Sequence, residues 1–291
     1  CFTNVMLDSS EMDTGIKIGK NQHPMEKAAS LLQEAGITVI PVVGLSRDKD
    51  HLDAAKSIAR RNKDKVVSVR LDDYDLETPS ESATKLIELM RETFSGFQVY
   101  LLYDFRDVFA KDSAVLASRA VAVTTKLKGI QPIATIVAGC GIPERIAQAV
   151  SSRSAGYVTR VEIGIWSQYQ KAAKSGQIIL LGDYTTVTPD HTELDWRLIS
   201  KTMGPKIIYA LKDQWFVIRG GAFARHPLGR DQYFELAKSV TKLPEYPGEE
   251  YCYGDGYIGE RSRKHGTCGN GGTWITACVN RHITLTVNTL E

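Results

Sequence analysis

The sequence has no long hydrophobic run and almost no net charge, and each absence excludes a class of protein. No apolar run approaches the roughly 20 residues that a membrane-spanning helix needs. The 36 basic residues nearly balance the 34 acidic residues, which leaves a formal net charge of +2. The overall charge therefore does not mark the chain as a nucleic-acid binder, although a local basic patch stays open.

Signal-peptide features and a disulfide pattern are also lacking. The first residues, CFTNVMLDSSEMD, do not show the basic segment and long apolar core of a signal peptide. Because the chain begins with Cys1 rather than methionine, we expect it to be processed or trimmed. The cysteines number five, an odd count, and a chain of 291 residues does not need disulfides to be stable. We therefore expect a reducing, cytoplasmic setting.

What the sequence does contain is a repeated alternation of strand-like and helix-like segments. Apolar runs typical of strands begin near residues 37, 65, 98, 132, 157, 177 and 206, with a weaker one near residue 2. Their mean spacing is close to the roughly 30 residues of a βα unit. Seven or eight such units predict an α/β protein of the TIM-like (β/α)8 barrel type, with a doubly wound open sheet as the alternative. The sequence lacks a Gly-x-Gly-x-x-Gly motif after an early strand, which argues against a dinucleotide-binding sheet.

The domain organisation follows from a change in composition near residue 244. Residues 1–243 carry the repeated units and are predicted to form the barrel, including a helix over Asp190–Met203. Residues 244–291 are rich in Gly, Tyr and Cys and end with a strand-like segment, Ile283–Val287. We interpret them as a C-terminal extension packed on the barrel rather than as a second domain.

The most informative stretch is Tyr157–Tyr184, in which two predicted strands each carry an acid. Val158–Ile165 contains Glu162, and Ile178–Leu181 runs directly into Asp183. A strand, a helix and a second strand in this order are the unit of a parallel α/β protein. Both carboxylates are therefore expected near the carboxyl ends of their strands.

In a barrel the carboxyl ends of the strands converge on one face, where substrates bind. The charged residues that the predicted strands place there are Arg70, Asp72, Asp104, Glu162, Asp183 and Arg219. We expect Glu162 and Asp183 to bind Mg²⁺ or Mn²⁺ and, with Asp104, to act as catalytic acids or bases. Arg70 and Arg219 would bind the substrate anion.

This constellation predicts a metal-dependent hydrolase or phosphodiesterase that acts on a phosphorylated small molecule or nucleic acid. Three alternatives stay open. The pairs Arg70–Asp104 and Glu162–Arg219 are equally well read as structural ion pairs. A non-catalytic binding or interaction module is the second alternative. Two-carboxylate sugar chemistry is a third reading, which the separation of the acids would decide.

A series of short motifs gives the chain a family resemblance. In order they are Arg160-Val-Glu162 with Trp166, Gly182-Asp183-Tyr184, Trp215 with Arg219-Gly220, Gly254-Asp255, Trp274 and Arg281-His282. Over about residues 37–291 the chain resembles the phage and bacterial family called Beta protein. The resemblance implies a barrel-like fold and a phage–host or phage-defence setting, but no reaction. It adds His282 as a catalytic candidate, and Tyr184 and Arg281 as substrate-binding candidates.

Other patterns allow a functional and a structural reading. Cys252, Cys268 and Cys278 with His265 and His282 would suit zinc, although no Cys-x-x-Cys pair is present. Cys140 is either a thiolate stabilised by a following helix or a small buried residue. The segment Gly139–Gly141 would bind an anion at that helix or serve only as a turn. A basic patch, Arg261, Arg263 and Lys264, would touch a nucleic-acid backbone or simply face solvent.

Overall fold

A computed structural model describes residues 3–12, 15–19, 22–189 and 203–290 of the protein. The helix expected over Asp190–Met203 lies outside these residues except for its last position. The chain divides into two compact units. The first comprises residues 1–106, 112–139 and 164–182, and the second comprises residues 107–111, 140–163 and 183–291.

The first unit is built on a parallel sheet of six strands. These are β1 (Asn4–Leu7), β2 (Thr38–Gly44), β3 (Val66–Leu71), β4 (Gln98–Asp107), β5 (Thr135–Cys140) and β7 (Ile179–Asp183). Their spatial order, β1-β2-β3-β4-β5-β7, follows the chain. Helices alternate with them: α1 (Pro24–Glu34), α2 (Lys49–Arg61), α3 (Asp73–Glu77), α4 (Pro79–Glu92), α5 (Ser113–Lys126) and α6 (Val161–Ala172). The predicted α/β class is thus confirmed.

The predicted closed (β/α)8 barrel is wrong, because three of the strands form a separate sheet. Strands β6 (Ala155–Thr159), β8 (Lys206–Ala210) and β9 (Gln214–Arg219) pair antiparallel in the order β6-β9-β8. Only residues 211–213 connect β8 to β9. A turn this short can join antiparallel strands, whereas parallel strands need a long crossover. The strands that a closed barrel would need therefore belong to this separate sheet.

The second unit packs apolar side chains on both faces of this three-stranded sheet. Ile207, Tyr209, Phe216 and Ile218 belong to one buried cluster, which helices α7 (Gln232–Val240), α8 (Tyr253–Ser262) and α9 (Gly271–Leu290) complete. The alternate residues, Ile208, Ala210, Trp215 and Val217, belong to a second buried cluster with residues 140–158. This alternation is the two-residue period of a strand.

Two local predictions in this region are wrong. The segment Ile283–Val287, predicted to be strand-like, lies within α9. The strand predicted over Val158–Ile165 ends at Thr159, and Glu162 lies in the first turn of α6. Three short 3-10 turns complete the described structure, at Ile146–Gln148, Phe223–Arg225 and Gly229–Asp231.

Candidate functional site

Four charged or titratable side chains of the second unit form one buried cluster. Arg160 Nε lies 3.1 Å from Glu162 Oε1, and Arg160 Nη2 lies 3.6 Å from Asp183 Oδ2. His282 Nε2 donates a hydrogen bond of 2.7 Å to the same Asp183 oxygen. We call Arg160, Glu162, Asp183 and His282 the Arg160 cluster. It brings together three of the predicted catalytic residues, and an arginine to which the sequence analysis gave no role.

The local structure fixes Arg160 at the centre of this cluster. Arg160 lies between the end of β6 and the start of α6, and its backbone N–H donates to Asp213 O at 3.0 Å. Its Nη1 also donates to Leu211 O at 3.3 Å, so the β8–β9 turn holds both ends of the residue. The guanidinium lies 4.8 Å from the ring centre of Trp215, and the His282 ring lies 4.9 Å from the same indole. These contacts orient the charged groups.

The two carboxylates of the cluster titrate in opposite directions. Burial raises the pKa of Glu162 above its usual range, although the charge of Arg160 opposes this shift. Burial would also raise the pKa of Asp183, but hydrogen bonds from His282 and Thr185, with the charges of His282 and Arg160, lower it overall. Asp183 is therefore the carboxylate that stays ionised most readily.

The Arg160 cluster does not fit the predicted Mg²⁺ or Mn²⁺ site. Arg160 already contacts both Glu162 and Asp183, so a fixed positive charge compensates the proposed metal ligands. Within the described ranges, no group of three or more His, Cys, Asp or Glu side chains is arranged to hold a metal ion. The cysteines and histidines proposed for zinc are among these described residues.

Several atoms of the cluster are buried without a hydrogen-bond partner among the residues that the structure describes. They are Arg160 Nη2, Glu162 Oε2, His282 Nδ1 and the neighbouring Trp215 Nε1. Such atoms are rare in folded proteins and tend to mark bound water or a functional site. Glu162 Oε2 lies so close to Gly141 that a Cβ added there would approach it to 2.7 Å. Only glycine leaves room for this carboxylate.

The other predicted substrate-binding residues of the second unit have structural contacts. Arg219 Nη1 donates to Val150 O at 2.6 Å, so the alternative ion pair between Glu162 and Arg219 is replaced by Glu162–Arg160. Arg281 lies 3.5 Å from Asp255 Oδ2 and packs between two tyrosine rings. Tyr184 packs against the buried cluster that contains Trp215.

A second group of charges lies at the carboxyl ends of β2, β3 and β4 in the first unit. Arg70 Nη1 contacts Asp8 at 2.8 Å, and Arg70 Nη2 contacts Asp104 at 2.6 Å. The ion pair that was the structural alternative for Arg70 and Asp104 is therefore present. A cavity of about 180 Å³ beside them is lined by three arginines, Arg47, Arg70 and Arg106, and by three acids, Glu11, Asp72 and Asp75. Because the cationic and acidic groups are equal in number, this cavity offers an anion little net attraction.

Asp75 in this cavity provides a pH-dependence prediction. Burial and the charge of Asp72 raise the pKa of Asp75 to about 6, above the unfolded value of about 3.9. The folded state then binds this proton more tightly, so its stability falls as pH rises from about 4 to 6. For Asp75→Asn we expect a gain of about 1 kcal/mol at pH 7.5, after discounting for partial exposure, that disappears near pH 4.

Urea unfolding at both pH values measures this difference. Asp64→Asn, on an exposed loop, is the matched control and should leave stability unchanged at both pH values. Equal stability of Asp75→Asn and the natural protein at pH 7.5 would contradict the raised pKa.

The largest cavity described in the second unit was not predicted from the sequence. It has a volume of about 910 Å³, within the range of small-molecule sites. Its lining is mostly apolar and includes Ile142, Ile146, Val187, Met203, Ile208, Phe223, Tyr233, Trp274 and Ile275. Three charged residues also line it, namely Glu144, Lys206 and Arg230. We call this space the second-unit cavity. Trp274 was the only lining residue among the family motifs.

The cysteine and glycine patterns have structural explanations. Cys140 Sγ donates to Ile142 O and Val187 O, at 3.4 and 3.1 Å. Burial raises the pKa of this thiol to about 12, which makes a reactive thiolate unfavourable. After Gly141 the chain forms only the 3-10 turn Ile146–Gln148, so the helix needed for anion binding is absent from this described segment.

Comparisons with known proteins complete this description. None of the described helices combines the length and apolar character needed to cross a membrane. No curated protein and no solved structure matches the sequence. The family model described as Beta protein matches residues 3–288, nearly the whole chain. The protein therefore belongs to the Beta protein family.

Proposed function

We propose that the protein is a binding module that holds a small organic molecule in the second-unit cavity. The observation that carries this proposal is the cavity itself, with its volume of about 910 Å³ and its mostly apolar lining. Ligand sites are typically concave and apolar, with a few polar groups that fix orientation. This is the non-catalytic alternative of the sequence analysis, and a phosphorylated small molecule is among the ligands it would take.

The exposure of the lining residues supports this proposal. Val187 and Met203 are each 39% exposed, and Ile275 is 47% exposed. Large apolar side chains are costly to keep in water, because burying one of them fully is worth about 1.5–3 kcal/mol. A ligand with an apolar body would cover them and gain part of this free energy.

The metal-dependent hydrolase of the sequence analysis has weaker support. Arg160, Glu162 and His282 are only 1–3% exposed. A catalytic base must come within hydrogen-bond reach of its substrate, which these side chains cannot do without a rearrangement. One observation keeps metal-free hydrolysis as a second candidate: Asp183 orients His282 through Nε2, and Nδ1 has no partner in the described part of the chain.

Blocking the cavity tests the proposal. Ala224 lines the cavity from an exposed 3-10 turn, so Ala224→Trp should fill its edge without disturbing the core. With the neutral dye N-phenyl-1-naphthylamine as probe, we expect saturable binding at one site. Ala224→Trp should weaken that binding about tenfold, which corresponds to about 1.4 kcal/mol. Fluorescence titration measures both values.

The control for this experiment is Ala172→Trp, at an exposed helix end outside the cavity lining. It should bind the dye as the natural protein does. Absence of saturable dye binding, or equal binding by both tryptophan variants, would overturn the proposal. Metal-free hydrolysis of 4-nitrophenyl phosphate that is lost in Asp183→Asn would instead favour the second candidate.

A further inference from the structure

We infer that the ligand of the second-unit cavity is an organic anion with an apolar body, either a phosphate monoester or a carboxylate. This inference rests on the proposed function, and it names the chemistry that the cavity selects. It depends on the charges of the lining, on the positions of the two cations and on an apolar wall that also lines the cavity.

The charge of the lining is positive. Lys206 and Arg230 are its cations, and Glu144 is its only carboxylate among the described lining residues. Both cations are exposed, and within the described ranges neither forms an ion pair of 4.0 Å or less. Water screens the charge of exposed cations, but their attraction for an anion beside them stays favourable.

Lys206 is held in an unfavourable electrostatic environment. It is the first residue of β8 and pairs in register with Arg219 on β9, so two cations occupy neighbouring positions of the sheet. Partial burial and the charge of Arg219 lower the pKa of Lys206, although much of its side chain stays in contact with solvent. An anion placed beside Lys206 would compensate both effects and would therefore bind with a favourable electrostatic contribution.

Arg230 supplies the second cation of the lining. It belongs to the 3-10 turn Gly229–Asp231, and its guanidinium lies 6.0 Å from the ring centre of Phe223, which also lines the cavity. A planar guanidinium donates paired hydrogen bonds to phosphate or carboxylate oxygens. Arg230 thus offers a guanidinium group and Lys206 an ammonium group, and both groups donate hydrogen bonds to such anions.

The apolar part of the ligand is selected by a fixed wall. Trp274 stacks on Tyr233 with ring centres 4.8 Å apart and an angle of 9°. Tyr257 meets the indole edge-on at 5.1 Å, and Trp274 Nε1 donates to Cys268 O at 2.9 Å. These contacts hold the indole in place, so the wall does not have to be ordered when a ligand binds.

A matched pair of dyes tests the inference. Anilinonaphthalene-8-sulfonate and neutral N-phenyl-1-naphthylamine share one aromatic skeleton and differ by an anionic group. We expect the anionic dye to bind about tenfold more tightly, a difference of about 1.4 kcal/mol. Lys206→Met and Arg230→Met should each remove most of this preference while changing neutral-dye binding less than about threefold. Competition by 1-naphthyl phosphate and 1-naphthoate then identifies the favoured anion, with 1-naphthol as the neutral competitor.

Two neighbouring cations provide the controls. Arg225 follows the lining residue Ala224, and Lys238 is exposed on α7, but neither lines the cavity. Arg225→Met and Lys238→Met should keep the full preference for the anionic dye. Neutral-dye binding without any anionic preference, or a preference that survives in Lys206→Met and Arg230→Met, would overturn this inference and leave the proposed function standing. Failure of both dyes to bind would overturn the proposed function itself.

Discussion

Replacing Arg160 by methionine is expected to lower the free energy of unfolding by about 3–5 kcal/mol. Arg160 contacts Glu162 and Asp183, and all three side chains are largely withdrawn from water. Methionine keeps much of the side-chain volume but removes the charge. Glu162 would then be buried without a counter-charge, which is far more costly than losing an exposed ion pair. Urea unfolding followed by tryptophan fluorescence measures the loss.

A double variant separates the cost of the orphaned acid from the loss of arginine packing. Arg160→Met combined with Glu162→Gln leaves no unpaired charge at position 162. We expect it to recover at least about 2 kcal/mol of the loss, since breaking one partner of a buried pair costs more than replacing both. If the double variant is as unstable as Arg160→Met, packing rather than charge is what Arg160 contributes.

The pH dependence of Arg160→Met gives an independent check. Without Arg160, its charge and its hydrogen bond no longer oppose the burial that raises the pKa of Glu162, so that pKa should rise further. A carboxyl whose folded-state pKa is raised stabilises the fold as pH falls through that value. The deficit of Arg160→Met should therefore shrink between pH 7 and pH 5. The exposed pair Arg91–Glu92 supplies the control, and Arg91→Met should cost less than about 1 kcal/mol at either pH.

The fold could be predicted from the sequence as far as its local elements. The apolar runs predicted to be strands near residues 37, 65, 98 and 132 all contribute to strands, which begin in the structure at residues 38, 66, 98 and 135. Which strands pair is a different question. The run that begins near residue 206 forms the first strand of a hairpin, β8 and β9, and the three-residue turn between them decides the topology. Nothing in the apolar pattern of β6 shows that it pairs antiparallel with β9.

The helix α6 illustrates a second limit. Val158–Ile165 is apolar enough to be read as a buried strand, and short apolar runs do not distinguish strand from helix. In the structure, Val161, Ile165 and Tyr169 are buried at a spacing of four residues, which is the period of a helix. The change of element moves Glu162 from a strand to a helix N-terminus. It nevertheless stays in the same cluster as Asp183, so the association predicted for these two acids is present.

The candidate sites were only partly predictable, because a sequence pattern is local and a cavity is lined by distant segments. Asp183 and Glu162 were singled out because they lie near the ends of predicted strands, and His282 because it belongs to one of the family motifs. The lining of the second-unit cavity comes from segments as distant as residues 142 and 278, and most of its members are ordinary apolar residues. No local pattern marks such residues, since their common property is the space that they enclose. Lys206 and Arg230 became candidate ligand-binding residues only because the structure places them in the lining of that cavity.

Gly254→Ala is expected to lower the free energy of unfolding by about 3 kcal/mol, the upper part of the range for an overpacked core. Gly254 lies in the first turn of α8, where a Cβ would overlap the carbonyl oxygen of Ala277 on α9 and approach Arg281 N to 3.0 Å. Because both neighbours are helix backbone, neither can turn aside as a side chain would. The two helices would have to separate.

Separating the two helices should also break the hydrogen bonds that their close approach allows. Gly254 N donates to Asn280 Oδ1 at 2.9 Å, and the adjacent Asp255 accepts from Tyr209 at 2.5 Å while it contacts Arg281. Thermal or urea unfolding measures the combined loss. Gly271→Ala is the matched control, because a Cβ at that position meets nothing within 4 Å and alanine favours a helix by up to about 1 kcal/mol. Stability of Gly254→Ala within about 1 kcal/mol of the natural protein would show that α8 and α9 do not depend on this close approach.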